Sequence, residues 1–379
     1  MSSQMEEFNR AKPRIDFLIA HSTLNVISGP ERNRFLILIF ALLNFIFISS
    51  LFLHLVNTNF ELNFNILVTL VTFIGVNDYV FRIFVGLLKR NKFEKLMQNI
   101  EALYEEQEND EELEQILRKH LVDSMKIFYF VDILGSGAYI LAGLFSGLYF
   151  RLNEDFVLMY ELPFIASEYF KDDFLWKELL HVIQGVLYIN MGYTLIILDV
   201  GIIFLCLQVI AELNILNNYM MLLNEKIKTE SKFLRKIIRR HCSLTENLNL
   251  LNDIISETSI LKLILTCATL LFGMTFMIIY AKSFANYLII ICGGGLGLSL
   301  CVLGEFIRVK TEKLSDALYL TNWYELSLKD QKTFLIVLGM TQRHYGLKSA
   351  GMYDVNLYTF LQIFKIAFSY SAVLYSLSK

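Results

Sequence analysis

The chain has 379 residues, 55% of them hydrophobic and 19% charged, with a mean hydropathy of +0.48 and a formal net charge of −3. That balance is too apolar for an ordinary water-soluble protein and places the chain among polytopic membrane proteins. The near-neutral charge leaves no basic footprint for nucleic acid. The five cysteines form no CxxC pair or His/Cys cluster, so neither zinc nor a disulfide scaffold is expected, and no cofactor is implied.

Residues 1–34 are polar and mixed in charge, without the apolar core of a signal peptide, so targeting falls to the first span. Pro30 and Arg34 precede that span, 35–56, as a proline ahead of a helix and a basic residue at a membrane edge should. The second span, 65–88, carries Asp78 and Arg82 four residues apart, a spacing that lets them neutralise each other on one helix face. Residues 89–126 are charged throughout. Their acidic run from Glu101 to Glu114 lacks the spacing and glycine of an EF-hand and reads as a solvated helical face.

The third span, 127–149, holds Asp132 and then Gly135, Gly137, Gly143 and Gly147, small residues that allow close helix approach. A long loop rich in aromatics and acids follows, including Glu154, Asp155, Glu161, Glu168, Asp172 and Asp173; such length points to function. The fourth span, 180–210, contains Asp199 and is long enough to extend beyond a bilayer. A basic cluster comes next, Lys226, Lys228, Lys232, Arg235, Lys236, Arg239 and Arg240, of the kind that attracts anionic lipid headgroups. The fifth and sixth spans are 260–280 and 284–307, the latter interrupted by Gly293, Gly294, Gly295 and Gly297. No strand precedes that glycine run, which argues against a phosphate loop.

Within 308–354 the longest apolar run, Phe334 to Met340, is too short to cross, so an amphipathic cytoplasmic helix is expected there. The seventh span is 359–377. On it Gln362, Lys365, Ser369, Ala372 and Ser376 form one polar or small stripe opposite Leu361, Phe364, Phe368 and Tyr375. Such a stripe either packs on neighbouring helices through its small residues or walls an aqueous pore. Lys and Arg concentrate in the N-terminus and in the loops after spans two, four and six. The positive-inside rule therefore predicts an all-α membrane protein of seven transmembrane helices, N-terminus cytoplasmic and C-terminus extracellular. G-protein-coupled receptors have the opposite orientation, and here no span contains proline.

The end of the chain resembles the C-terminal signature of insect odorant receptors. The matching residues are Ala350, Gly351 and Tyr353 in a turn, then Leu357, Thr359, Phe360, Leu361, Ile363, Lys365, Ser369, Tyr370, Val373 and Leu374. Upstream, Asp316-Ala317-Leu318-Tyr319 and Asn322-Trp323-Tyr324 resemble the family's Ala-x-Tyr and Trp-Tyr stretch, while Met352 and Ser376 depart from its pattern. The resemblance implies a subunit of a tetrameric, ligand-gated cation channel whose subunits meet through a cytoplasmic anchor, here 308–354, and whose last helix lines the pore. It further implies a plasma-membrane location in olfactory neuron dendrites and a shared co-receptor partner. The compact loop 211–259 matches an odorant-tuning subunit rather than the co-receptor, in which that loop is expanded.

By position within the family, Val373 and Leu377 match a hydrophobic gate with Ser376 beside it, and Ser369 and Gln362 lie deeper in the conduit. Lys365 is awkward for a path that cations permeate; it either points to a lateral opening or pairs with a carboxylate such as Asp132. The family's pocket for a small volatile odorant lies in the outer halves of spans two to five. By depth the candidates are Phe73, Tyr139, Ser146, Asn190, Thr194, Thr275, Phe276 and Ile279. The alternatives are a gustatory receptor of the same superfamily, whose usual Gln-Phe ending is absent here, and a polytopic transporter, for which no internal repeat is found. No HExxH or GxSxG motif suggests an enzyme.

Overall fold

In lipid every backbone polar group needs an internal partner, so apolar runs of this length can be stable only as helices. A computed structural model describes residues 3–25, 31–57, 64–153, 174–226, 233–279, 284–342 and 345–377. The helices are α1 Ser3–Ser22, α2 Glu31–Asn57, α3 Phe64–Leu88, α4 Arg90–Glu105, α5 Glu111–Asn153 and α6 Phe174–Met221. After these come a single turn α7 Leu223–Lys226, then α8 Phe233–Ile279, α9 Phe284–Tyr319, α10 Leu328–Thr341 and α11 Leu357–Leu377. A two-residue antiparallel pair, β1 Lys348–Ser349 with β2 Tyr353–Asp354, stands just ahead of α11. Among the described residues, five stretches are long and apolar enough to cross a membrane: Asn33–Val56, Glu111–Leu141, Gly185–Met221, Phe233–Thr275 and Leu357–Ser376. Exposed Phe35, Leu38, Leu42, Phe45 and Phe52 along α2 form the kind of apolar surface that a soluble protein buries.

The helices outrun their apolar segments. With 48 residues α6 is about 72 Å long, and with 47 residues α8 is about 70 Å, against a hydrocarbon core of about 30 Å. Their surplus turns pack with α4 and the start of α5 into a second, polar-surfaced bundle. On α4 the apolar residues Phe93, Leu96, Ile100 and Leu103 recur every three or four positions and are buried, each burial worth about 1.5–3 kcal/mol. They join Leu113, Leu117 and Leu121 of α5, Leu213 and Leu216 of α6, and Leu244, Leu248 and Leu251 of α8 in one core. The stretch 89–126, whose acidic run reads as a solvated helical face, and the described parts of 211–259, which read as a compact loop, thus hold core-forming helices. Helix α10 covers the expected Phe334 to Met340 run and buries Phe334, Val337 and Leu338; Trp323 stacks on Phe334 at 6.0 Å.

The acidic run is a solvated face only in part: Glu105, Glu111 and Glu112 are exposed, but its centre is drawn inside. Glu108, its side chain only 4% exposed, accepts hydrogen bonds from Lys236, from Arg240 (2.8 Å) and from the Tyr219 hydroxyl (2.9 Å), and Lys226 pairs with Asp110. Glu101 pairs with Lys12 of α1. Hydrophobic packing of α4, α5 and α8 brings the acidic and basic segments together, although they are more than 100 residues apart. Three of the seven cluster cations are consumed inside the protein; Arg235 and Arg239 remain exposed, and Lys228 and Lys232 lie outside the described residues. Burial raises the Glu108 carboxyl, but its three donors outweigh burial and hold it below the usual carboxylate value. The Lys226 hydrogen bond likewise depresses Asp110.

Helix α1 seals one side. Arg14 grips Asp132 with two hydrogen bonds, at 2.7 and 3.0 Å, so Asp132 is not available to Lys365. The end of α1 lies so close to α3 that a Cβ on Gly86 would stand 1.9 Å from the Ser22 carbonyl oxygen. His21 is buried among Phe17, Phe40 and Tyr79, and burial pushes its imidazole down to about 4, so it stays neutral. Of the glycines singled out for close approach, Gly135 makes ordinary contact with Ile196, while Gly137 meets nothing within 4 Å. On α9 a Cβ on Gly297 would meet Thr266 of α8 at 2.4 Å and one on Gly294 would meet Leu270 at 3.3 Å, whereas one on Gly295 would meet nothing within 4 Å. The acidic loop from Glu154 to Asp173 lies outside the described residues.

Candidate functional site

The turn that carries the C-terminal signature is a hairpin docked on α8. Ala350 and Gly351 both have positive φ, +48° and +70°, and the Met352 N–H closes the turn onto the Ser349 carbonyl at 3.0 Å. A small residue followed by glycine is what such backbone needs, because a larger side chain is strained there. Asn252 of α8 holds the hairpin at two points: its amide donates to the Gly346 carbonyl and its oxygen accepts from the Lys348 N–H, both at 2.9 Å. The Ala350 N–H donates to the Ser256 carbonyl at 2.9 Å. Sequence reasoning missed Asn252, and no local pattern marks it. On the other side the Val355 carbonyl sits where a Cβ of Gly304 would be, 1.9 Å away.

Helix α11 then starts with a cap that explains the signature threonine. The Thr359 N–H donates to Asn356 Oδ1 at 2.9 Å, and the Thr359 hydroxyl donates to the Asp354 carbonyl at 2.6 Å. Such a cap is worth about 1 kcal/mol. Along the helix Ile363, Ala367 and Ser371 form the face turned to the rest of the chain; Ala367 and Ser371 are fully buried, the former with Leu270 and Met274 of α8. At about 100° per residue, the stripe of Gln362, Lys365, Ser369, Ala372 and Ser376 falls on the opposite side. Lys365, Ser369, Ala372 and Ser376 are exposed, Gln362 is half-buried, and Val373 beside them is 53% exposed. The stripe therefore does not pack on helices of its own chain: the smallest buried residues sit on the other face. Ser376 donates back to the Val373 carbonyl at 2.7 Å. The helix reaches Leu377, whose side chain lies outside the described residues.

Four of the eight pocket candidates gather around α6. Asn190 donates to Asn44 Oδ1 at 2.7 Å, and Asn44 donates to the Thr194 hydroxyl at 3.1 Å, all three buried. Asn44, on α2, was missed because one Asn in an apolar run has no periodic signature. Tyr139 of α5 lies over Gly192, where a Cβ would be 1.5 Å from the phenol oxygen. Phe73 packs against a separate apolar cluster that holds Met191 of α6 with Phe47, Val76 and Tyr79. Thr275 donates to the Leu271 carbonyl of its own helix and is not joined to this group by any described hydrogen bond. The side chains of Ser146, Phe276 and Ile279 lie outside the described residues.

The expected Asp78–Arg82 pair is present, with 3.0 Å between Arg82 Nε and Asp78 Oδ2, but it is part of something larger. Both terminal nitrogens of Arg82 donate to Asp199 Oδ1 at 2.8 Å, and Lys262 of α8 donates to the same oxygen at 2.6 Å. The side chains are about a tenth exposed and the four charges sum to zero. Arg82, Asp199 and Lys262 line a cavity of about 40 Å³, with Ser22, Thr258 and Ser259 supplying hydroxyls. Among the described residues no group of His, Cys, Asp and Glu could hold a metal ion.

Comparison with known proteins agrees with this architecture. The structure of the insect olfactory receptor OR5 from Machilis hrabei superposes with a TM-score of 0.70 at 13% identity, covering 98% of this chain and 99% of that one. The same receptor in complex with eugenol gives 0.69 at 14% identity, covering 99% and 100%. Odorant receptor Or1 of Anopheles gambiae is 32% identical over 79 residues, which is 20% of this chain and spans only 19% of that relative's length. The model of the 7tm Odorant receptor family matches residues 59–368, most of the chain, and the chain belongs to that family of multi-pass membrane proteins, the odorant receptors.

Proposed function

We propose that this odorant receptor is the tuning subunit of a ligand-gated, non-selective cation channel, paired in a tetramer with a co-receptor in the dendritic plasma membrane of olfactory neurons. Seven spans, an inner N-terminus and an outer C-terminus complete the reading. The observation that carries it is α11: its polar stripe faces away from its own subunit, with Val373 exposed beside it. Exposed in a monomer and opposite the packed face, that stripe suits an axis shared between subunits, where Val373 and Leu377 gate by dewetting and Ser376, Ser369 and Gln362 line the conduit. Lys365 shares the stripe, which favours an opening off that axis.

The buried Asn44–Asn190–Thr194 group with Phe73 and Tyr139 supplies a mostly apolar site with a few fixed polar groups. Ser146, Thr275, Phe276 and Ile279 remain candidates by their depth along α5 and α8 alone. An insect receptor of this fold was solved with eugenol, so by likeness the ligand is a small organic molecule. Arg235 and Arg239, both exposed, are left to meet anionic lipid.

The test is whole-cell current from cells expressing the chain with and without an insect co-receptor, challenged with a panel of volatiles. Odorant-evoked cation current only in the paired cells is the expected result. Replacing Val373 and Leu377 by Ser should alter basal current or ion selectivity. Saturable uptake without current, or unchanged permeation in both variants, would overturn the channel reading or the gate assignment respectively.

A further inference from the structure

We propose that the Asp78–Arg82–Asp199–Lys262 network is the coupling element between the candidate ligand site on α6 and the α11 helix. The proposal rests on the channel reading above. Asp199 lies five residues after Thr194 and nine after Asn190 on one uninterrupted helix, about 7.5 and 13 Å along its axis. Lys262 lies eight and twelve residues before Leu270 and Met274, about 12 and 18 Å along α8. Those two residues bury Ala367 of α11. Besides the apolar core and the Asn247–Glu212 hydrogen bond (2.8 Å) of their surplus turns, the two rods are joined at Asp199 Oδ1, which accepts from Lys262 at 2.6 Å and from Arg82 at 2.8 Å.

Two features make this junction a switch rather than mere packing. Intramembrane ionisable groups are costly, and replacing a buried ion pair by apolar residues of similar size is often neutral or stabilising, so stability alone does not account for four of them. The adjoining cavity of about 40 Å³, lined by Ser22, Thr258 and Ser259, has room for water and groups to bind it. A shift of α6 along α8 by one water diameter therefore exchanges a direct Lys262–Asp199 contact for a hydrated one, giving two discrete arrangements instead of a continuum. Coupling requires an element whose two states both sites bias. Lys262, Asp199 and Arg82 act as positioning residues in this scheme; none touches ligand or ion.

The experiment compares Lys262→Met, Asp199→Asn, the double variant and Lys262→Arg in co-receptor-expressing cells, with Lys95→Met, which breaks an exposed pair with Glu246 (2.5 Å), as the charge control. Odorant EC50, basal current and biotinylated surface receptor are measured together. A coupling role shifts EC50 in Lys262→Met by about tenfold, with basal current moving in the opposite sense, as a change in the gating equilibrium requires. The double variant adds little to either single one, and Lys262→Arg stays within about twofold because it keeps the pair. Changes that follow surface expression alone, with EC50 and basal current unmoved, overturn the proposal. So does loss of surface expression in both the single and the double variant, which makes the network structural. If the unmodified pair gives no odorant-evoked current, the channel reading fails first and the coupling falls with it.

Discussion

Replacing Glu108 by Gln removes the charge at the centre of the polar bundle while keeping its shape. The Glu108 side chain is 4% exposed and receives Lys236, Arg240 and Tyr219. Hydrogen bonds to a charged group are worth about 1.5–3 kcal/mol, and removing one partner of a buried pair costs about 3–5 kcal/mol. Arg240 retains Glu106 at 3.0 Å and Lys236 is 31% exposed, so the loss falls toward the lower end, about 2–3 kcal/mol. With about 2.1 cal/mol/K of unfolding entropy per residue, a chain of this length should lose roughly 2.5–4 °C in apparent Tm. The assay is heating of detergent-solubilised receptor followed by fluorescence-detected size exclusion. Glu112→Gln, at an exposed partner of Lys226, is the control and should change Tm by under about 1 °C.

The pH dependence has a definite sign. The folded carboxyl of Glu108 is held below its ordinary value of 4.5, so its contribution is complete above that value and disappears as pH falls through the folded pKa. The gap between the wild type and Glu108→Gln should stay constant from pH 8 to 6 and close only below about 4.5. Equal Tm values for Glu108→Gln and Glu112→Gln at pH 7, or a gap that closes already near pH 6, would refute the reasoning.

Three further substitutions probe backbone packing in the same thermal assay. Gly86→Ala places a Cβ 1.9 Å from the Ser22 carbonyl, so α1 must move off α3; a loss of about 1–3 kcal/mol is expected, and an unchanged Tm would show that the close approach is not made. In the hairpin before α11, Gly351→Val at φ +70° should cost at least about 1–2 kcal/mol, whereas Ala350→Gly at φ +48° should be neutral or stabilising. Destabilisation by Ala350→Gly greater than by Gly351→Val would contradict the turn geometry.

Much of the all-α membrane architecture was legible in the chain, because twenty apolar residues in a row have few other stable uses. The stripe on α11 was legible for a related reason: helical periodicity is a property of a single segment. The Asp78–Arg82 pair, four residues apart, was also within reach of a local rule. The hairpin signature could be recognised in the sequence, though its grip on Asn252 and Ser256 could not.

What tertiary structure decided lies between segments far apart in sequence. The acidic run around Glu108 read as solvated because nothing local shows that Lys236 and Arg240, more than 120 residues later, will be carried to it. Charged and polar residues hid the apolar faces of α4 and of the surplus turns of α6 and α8, where Leu and Ile are interspersed with Asn, Glu, Lys and Arg. Asp199 and Lys262 stood as isolated charges in separate spans until three helices packed them onto Arg82. By itself the sequence determined that the long apolar spans are helical and which side of the last one is polar, since both follow from neighbours three or four residues away. Which charges neutralise which, and which face of α11 is left open, depended on long-range packing, because opposite charges and bare helix faces are satisfied in space and not along the chain.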